Sequence, residues 1–325
     1  MILVTGGAGM IGSNLTKRLL RNEHNVKVID NFYRGTKENL KASGLQQENF
    51  LEYDLSKGLS EVLVDFCKGV KVIYHLADIV AGIDYVFSNE YDIFNVNIAI
   101  NTTVALLAEK TQTQKFIYAG TVCSFPENLQ NEYEQDDALE EKYLFPAKPE
   151  SGYGWSKLIG QLQLGYLSDK VNLDSITLMF HNVYGRPSDF SRDKSQVIPS
   201  IIRKVHEAKE GDKIVVWGTG NQSRAFVHVE DVVDALFSVM SIQTNETHIQ
   251  IGPEFSTTIN DLTAMIIEIS GKELSIINDL SKPEGDKARY SNNALAYNVL
   301  QWKPKTSLYN GLKDLYESYV SAANK

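Results

Sequence analysis

Ile2-Leu3-Val4-Thr5-Gly6-Gly7-Ala8-Gly9-Met10-Ile11-Gly12 decides how the rest of the chain is read. A short apolar run leads into Gly6, Gly9 and Gly12, and an amphipathic stretch over residues 11–21 opens inside them. Strand, glycine turn and helix in that order begin a dinucleotide-binding unit. One glycine makes the tight turn, one lets backbone approach a pyrophosphate, and one lets helix pack on strand. Asp30 ends the next apolar run about twenty residues on, where such units carry an acid. A carboxylate there accepts hydrogen bonds from a ribose 2′-hydroxyl and repels a 2′-phosphate, so NAD is expected over NADP, although Arg34 lies close by. Asp54-Leu55, after the third run, is expected to reach the adenine.

The same alternation continues outward. Apolar runs at residues 1–4, 25–29, 49–53, 70–75, 115–118 and 175–180 are separated by amphipathic stretches at 11–21, 59–66, 95–109 and 153–168. Such βα units predict a parallel sheet covered by helices on both faces, an α/β fold of the Rossmann-type doubly wound kind. Beyond Tyr184 the pattern loosens: a polar loop at 185–195, a helix at 199–208, a strand at 214–217 and the turn Gly218-Thr219-Gly220-Asn221. A helix at 229–240, a strand at 248–251 and helices at 259–270 and 308–320 complete it, with Pro283 and Gly285 in a loop between the last two. No repeat or proline-rich linker divides the chain. The expected division is an NAD-binding Rossmann domain of residues 1–184 with 226–252, interwoven with a smaller α/β substrate-binding domain of residues 185–225 with 253–325.

Composition narrows the partners. Of 325 residues, 43% are hydrophobic and 22% charged, as in globular proteins with a sizeable core. No run approaches the roughly 18 apolar residues of a membrane helix. Met1 leads directly into the first strand and leaves no room for a signal peptide, so a cytoplasmic protein with no membrane partner is expected. Cys67 and Cys123, the two cysteines, form no disulfide framework, and no metal site is expected. A net charge of −9 argues against nucleic acid, but not against an anionic small molecule, which a few placed arginines and helix N-termini can hold.

Tyr153 and Lys157, spaced i and i+4, share one helix face, so phenol and ammonium can converge on one point. Thr121, ending an upstream strand, completes a proton-and-hydride site with them. A free phenol with a pKa of ~10 is a poor base at neutral pH and needs help from its surroundings.

Together these pieces resemble the extended short-chain dehydrogenase/reductase family over nearly the whole chain. The matching segments are Thr5 to Gly12, Asp30-Asn31, Asp54-Leu55, His75-Leu76-Ala77, Asn97, Thr121 and Tyr153-x-x-x-Lys157. His181-Asn182-Val183-Tyr184-Gly185, Arg224-Ala225-Phe226-Val227-His228-Val229-Glu230-Asp231 and Trp302-x-Pro304 extend the match. The resemblance implies an NAD site of Gly6, Gly9, Met10, Ile11, Gly12, Asp30 and Asn31, joined by Asp54, Leu55, Leu76, Ala77, Asn97, Tyr153 and Lys157. It implies a nucleotide-diphospho-sugar substrate whose hydroxyl gives a proton to Tyr153 while hydride leaves the same carbon. Lys157 would bind the nicotinamide ribose and lower the tyrosine pKa, and Thr121 would bond the reacting oxygen. A homodimer paired through the helices at 95–109 and 153–168 is expected by the same analogy.

Cys123 points to a second chemistry. In the sugar 4,6-dehydratases of this family the threonine is followed by Asp and Glu, acid and base for loss of water. Here Val122 cannot protonate a leaving hydroxyl, and Cys123 falls where the C5 base would stand. A 4-ketone acidifies the hydrogens on C3 and C5, and a thiol of pKa ~8.5 becomes a useful base if a cation lowers it. Cys123-Ser124-Phe125-Pro126-Glu127 resembles the Cys-x-Tyr-Pro-Glu segment of the GDP-mannose 3,5-epimerases. Phe180-His181-Asn182-Val183-Tyr184-Gly185, followed by Arg192-Asp193-Lys194, resembles their strand and the lysine loop after it. The resemblance implies that Cys123 and Lys194 work from opposite faces of the sugar, one removing a proton and the other returning it. Departures are Phe125 for tyrosine, and Ala119-Gly120 where serines are usual. A buried free cysteine is ordinarily a small hydrophobe, and a buried histidine such as His181 is ordinarily satisfied within the core.

For the substrate, Arg224 and Arg289 match arginines that clamp a diphosphate, a task suited to the guanidinium fork. Asn182 matches a residue touching phosphate or sugar. Trp217 is a candidate for the base pocket, while Gly82 and Lys194 are candidates beside the hexose. The base is open between guanine, uracil and thymine. The leading expectation is an NAD-retaining epimerase acting through a 4-keto sugar at C5, with or without C3. A 5,6-dehydratase with Cys123 as base and Lys194 or Glu127 as acid, a 4,6-type dehydratase, a C4 epimerase that would not need Cys123, and a dinucleotide-sensing scaffold stay open beside it.

Overall fold

Alternate residues of the first strand feed opposite cores, which fixes a sheet buried on both faces. The computed structural model describes residues 1–80, 82–131, 138–192, 195–282 and 289–323. The chain runs β1 (Ile2–Thr5), α1 (Met10–Arg21), β2 (Val26–Asp30), α2 (Lys37–Ser43), β3 (Phe50–Glu52), α3 (Glu61–Phe66) and β4 (Val72–His75). Then come α4 (Ile83–Ser88), α5 (Glu90–Thr111), β5 (Lys115–Thr121), α6 (Asn128–Asn131), α7 (Gly152–Val171) and β6 (Asp174–Phe180). Next are β7 (Asn182–Tyr184), α8 (Val197–Glu207), β8 (Lys213–Trp217), β9 (Ser223–Arg224), β10 (Phe226–His228), α9 (Val229–Val239) and β11 (His248–Ile251). The chain closes with β12 (Thr257–Thr258), α10 (Ile259–Ser270), β13 (Ser275–Asp279), α11 (Ala294–Leu300) and α12 (Leu308–Ala323).

Seven strands form one parallel sheet in the order β11-β6-β5-β4-β1-β2-β3, the Rossmann-type fold expected. Strand order reverses between β1 and β4. At that switch the following loops part, and a crevice opens at the carboxyl ends of the strands. Ile2 and Val4 pack with Leu15, Leu19, Val232 and Leu236 beneath α1 and α9. Leu3 points the other way, to Val104, Leu107, Leu164 and Leu167 of α5 and α7. Fully burying each such side chain contributes roughly 1.5–3 kcal/mol before entropy is charged. A third cluster gathers Ile202, Val216, Ile266 and Leu312 around α8, α10 and α12. Ile198, Ile201, Ile202 and Val205 share the inner face of α8, the i, i+3, i+4, i+7 spacing of an amphipathic helix. Among the described residues no helix is long and apolar enough to cross a membrane.

Two boundaries differ from the sequence pattern in ways that matter to the site. β5 continues to Thr121 rather than ending near residue 118, because Ala119, Gly120 and Thr121 still pair with Leu178, Met179 and Phe180. α5 begins at Glu90, five residues ahead of its expected start at 95, which brings Glu90 Oε1 to the amide of Gly152 at 3.0 Å. α2, α4, α11 and β13 escaped the sequence pattern because five to seven residues carry too little periodicity.

Candidate active site

The glycine loop is shaped by close approach. Gly6 has φ +70°, and a Cβ there would stand 2.9 Å from Ala77 N after β4. A Cβ on Gly12 would lie 2.2 Å from Gly6 O, so only glycine lets α1 press onto the loop. Gly9, the residue capping α1, would meet only Gly6 O, at 3.3 Å. The first turn of α1 holds no acidic side chain and no side-chain cap, leaving its amides to face an anion. These residues fit a dinucleotide pyrophosphate.

Asp30 Oδ2 accepts from Ala8 N at 2.9 Å and Oδ1 from Phe32 N at 2.7 Å. Burial pushes its carboxyl pKa up, while those amides pull it back. Arg34 is turned away, with Nη1 donating to Val80 O and Nη2 3.6 Å from Asp189 Oδ2. The side of the site that would receive a 2′-phosphate therefore presents an acid and no committed guanidinium, which fits NAD. Asp54 Oδ1 accepts from Ser56 N at 3.0 Å and Ser56 Oγ at 2.7 Å, fixing the turn that carries Leu55.

One cleft of about 1100 Å³ runs from this loop past the ends of β4 and β5 to β8. A single drug-sized ligand usually occupies roughly 300–1,000 Å³, so there is room for more than one molecule. Gly6, Gly9, Met10, Ile11 and Gly12 line one end, with Asp30, Asn31, Asp54 and Leu55 beside them. Leu76, Ala77, Gly82, Thr121, Cys123, Tyr153 and Lys157 line the middle, and Asn182, Trp217, Arg224 and Arg289 continue it.

Asn97 stands outside that lining, contrary to its expected cofactor contact. It is 0% exposed; its Oδ1 accepts from Ile79 N at 2.7 Å and its Nδ2 donates to Ile79 O at 3.2 Å. Its amide pins the loop after β4 instead. Lys194 lies outside the described residues.

Tyr153 and Cys123 are brought together by a joint without side-chain room. Thr121 Oγ1 accepts from Cys123 N at 3.2 Å and starts a short 3-10 turn, Val122–Ser124. Ser151 caps α7 by accepting from Gly154 N at 3.3 Å, and Ser124 Oγ donates to Gly154 O at 3.2 Å. A Cβ on Gly154 would sit 2.2 Å from Cys123 O. Glycine thus lets the first turn of α7 lie against the cysteine turn, and Tyr153 and Cys123 share one small apolar cluster.

Lys157 is 2% exposed, and its Nζ is 3.0 Å from Asp78 Oδ2 and 4.6 Å from the centroid of the Tyr118 ring. Tyr153 Oη donates to the same Asp78 oxygen at 3.4 Å. The net shift on the tyrosine is upward. Burial first, then the charges of Asp78, Cys123 and Tyr118, hold the phenol well above its usual 10. For Lys157, burial favours the neutral amine, but Asp78 and Tyr118 outweigh it and keep the ammonium. Asp78 belongs to none of the sequence motifs. Its one hint was a carboxylate directly after a strand at the switch point, where ligands gather.

Cys123 is half-buried, and Arg289 Nη1 donates to its Sγ at 3.2 Å. Arg289 is 5% exposed and its Nη2 lies 3.3 Å from Glu150 Oε1. The cation at the sulfur is thus an arginine expected at the diphosphate. Glu127 points elsewhere, paired with Lys148 at 2.8 Å with both side chains exposed. His181 is buried, bonded through Nε2 to Gln250 Oε1 at 3.3 Å, and burial drops its pKa to about 3. Lys204 and Gln222, neither singled out in the sequence, line the far end beside Trp217.

A dinucleotide cradle continuous with a buried Tyr–Lys pair defines a nucleotide-cofactor enzyme of the reversible-oxidation class. The chain belongs to the NAD dependent epimerase/dehydratase family, whose model matches residues 2–252, and NAD is its cofactor. A GDP-mannose 3,5-epimerase 1 of Oryza sativa subsp. japonica is 25% identical over 97% of this chain and 80% of its own length. A GDP-L-fucose synthase 1 of Arabidopsis thaliana is 27% identical over 98% of this chain and 93% of its own. The crystal structure of a UDP-glucose 4-epimerase with UDP-glucose from Thermotoga maritima superposes with a TM-score of 0.87 at 26% identity, covering 99% of both chains.

Proposed function

We propose that this enzyme epimerises a nucleotide-diphospho-hexose at C5, with or without C3, through a transient 4-keto sugar. The observation that carries the reading is Cys123 Sγ, in the same cleft as Tyr153 and bonded by the Arg289 guanidinium at 3.2 Å. An N–H donor at that distance is the partner a thiolate base needs. NAD, when bound by the glycine loop and Asp30, supplies reversible hydride acceptance that turns a sugar alcohol into a ketone and back. Tyr153 Oη takes the hydroxyl proton and later returns it, with Thr121 Oγ1 bonding the reacting oxygen. Cys123 Sγ takes the proton that the ketone acidifies, and Lys194 returns one from the other face, which inverts the carbon. Arg224 and Arg289 hold the diphosphate side, Asn182 and Gly82 the sugar, and Trp217 the base.

Supporting a sugar nucleotide are the size of the cleft, Arg224 at its far end, and relatives named for GDP- and UDP-sugars. Of the two acids a 5,6-dehydratase could use, Glu127 is bound to Lys148 away from the cleft lining, which weighs toward the epimerase. The division into residues 1–184 with 226–252 and 185–225 with 253–325 is part of the same proposal, supported by a separate apolar cluster under α8, α10 and α12. A homodimer through α5 and α7 is supported by the exposed Leu106, Leu162 and Tyr166 on those helices.

The test is incubation with GDP-, UDP- and dTDP-hexoses in heavy water. Deuterium at C5 or C3 with the sugar otherwise intact is expected. Loss of water from the product would convert the assignment to dehydratase, and inversion at C4 alone without wash-in would remove Cys123 from the reaction.

A further inference from the structure

Asp78 touches both groups of the redox pair, yet the proposed reaction gives it no role. A buried ammonium is costly without a counter-ion, and Asp78 Oδ2 provides one to Lys157 at 3.0 Å. The same oxygen accepts the Tyr153 hydroxyl at 3.4 Å, and the Asp78 side chain is only 15% exposed. Its backbone is held on both sides. Ala77 N donates to Thr5 Oγ1 at 3.3 Å from β1, and Ile79 N to Asn97 Oδ1 at 2.7 Å from α5. Two elements thus fix one carboxylate oxygen at a phenol and an ammonium.

Among the described residues, four titratable groups stand around Tyr153. Asp78 comes from the loop after β4, Lys157 from its own helix, Tyr118 from β5 and Cys123 from the turn after β5. His75 lies behind Tyr118, with ring centroids 5.5 Å apart, and Arg289 lies behind Cys123. Lys157 and Tyr153 share the Asp78 oxygen, which pairs the ammonium's charge. An ordinary phenol is only about one part in a thousand ionised at pH 7, and this one is held above that range by burial and by Asp78. A neutral phenol can still accept a proton if it surrenders its own in the same movement.

We propose that Asp78 is a positioning residue that acts through Tyr153 as its proton store. As Tyr153 Oη takes the hydrogen of the sugar hydroxyl, its own O–H bond breaks and a new one forms on Asp78 Oδ2. Reduction of the ketone runs both transfers backward, and Lys157 keeps its charge throughout. One O–H bond is lost by the sugar and one gained by the carboxyl, with the phenol unchanged. The proposal rests on the role given to Tyr153 above.

Tyrosine labelled with 13C at Cζ reports ionisation of Tyr153 in the NAD-bound enzyme, its resonance identified by loss in Tyr153→Phe. In Asp78→Asn the carboxylate charge is gone and Lys157 faces the phenol unpaired, so the titration midpoint is expected to fall by at least one pH unit. The rate of the oxidation half-step should be flat from pH 6 to 8 in the wild type. In Asp78→Asn it should rise about tenfold per pH unit, the slope of a single required ionisation, and Asp78→Glu should restore the flat profile. An unchanged midpoint and profile in Asp78→Asn would overturn the proposal. So would a tenfold-per-unit slope in the wild type, a measurement that depends on no variant folding. If no sugar nucleotide is oxidised, the proposed reaction fails on its own, while the resonance titration still decides the Asp78–Tyr153 link.

Discussion

The tyrosine corner and the cysteine corner of the cleft touch, yet they are built on different terms. Tyr153, Lys157, Asp78 and Tyr118 all come from the central sheet and its flanking segments, and the ammonium at their centre is 2% exposed. Cys123 is half-buried, and its guanidinium partner comes from a residue 166 positions away in sequence. The first corner is buried and assembled from consecutive βα units. The second is completed by one arginine from a distant part of the sequence. In the proposed reaction the first corner takes and returns a hydrogen pair, and the imported arginine bears on the step between. A site divided this way can change its reaction without rebuilding its redox chemistry.

The sharpest way to break that comparison is to disable each corner in turn. Tyr153→Phe should lower both transient NADH formation and deuterium wash-in by roughly 10²–10⁴-fold, since the ketone is needed for both. Cys123→Ala should lower wash-in by a similar factor while NADH formation stays within about threefold. Rapid-mixing absorbance and mass spectrometry on the same samples separate the two. Equal loss of both signals in Cys123→Ala would mean that the corners are one unit.

A smaller effect is expected at the imported residue. Arg289→Ala should lower wash-in by about ten- to a hundredfold, in line with loss of a charge-assisted bond. Arg289→Lys should recover part of it, because the charge returns but the fork that spans Cys123 and Glu150 does not. Full activity in Arg289→Ala would leave the sulfur without need of this donor.

The mildest test concerns stability, because each corner rests on a neutral buried histidine. His75, bonded to Thr5 Oγ1 and Asn101 Oδ1, has its pKa dropped to about 3 by burial first and Lys157 second. His181 is likewise dropped to about 3, by burial first and with Arg289 adding to it. In the unfolded chain both charge below about pH 6.5. Their contribution is therefore full above pH 6.5 and is lost as pH falls toward 3, at roughly 1.4 kcal/mol per unit for each histidine. Urea unfolding at pH 7 and pH 5 should show the drop, and His75→Gln should remove about half of that slope. An undiminished slope in that variant would place the acid sensitivity elsewhere.

Much of the first corner was legible because its signals are local. Glycine spacing, the acid at Asp30 and the i, i+4 pair of Tyr153 and Lys157 each lie within one βα unit, where chain geometry converts spacing directly into proximity. Asn97 misled because a polar residue on an inward helix face can serve the loop it pins as readily as a ligand; burial decides, and burial is not in the spacing. The upward shift of Tyr153 was hidden for a related reason. Asp78 neutralises the ammonium, and a single carboxylate after a strand carries no pattern of its own. Arg289 was legible as a cleft residue through its family motif. Its bond to Cys123 was not, since a contact over 166 positions depends on the whole fold.

The missing side chain at Gly154 has a consequence for how this enzyme can be altered. With Cys123 O where a Cβ would have to go, the two corners share a single mechanical datum. In the proposed reaction, exchanges at 122 and 123 would alter the second step while that datum stays put. Any side chain at 154 is a wedge driven between the two chemistries, and it would unseat both at once.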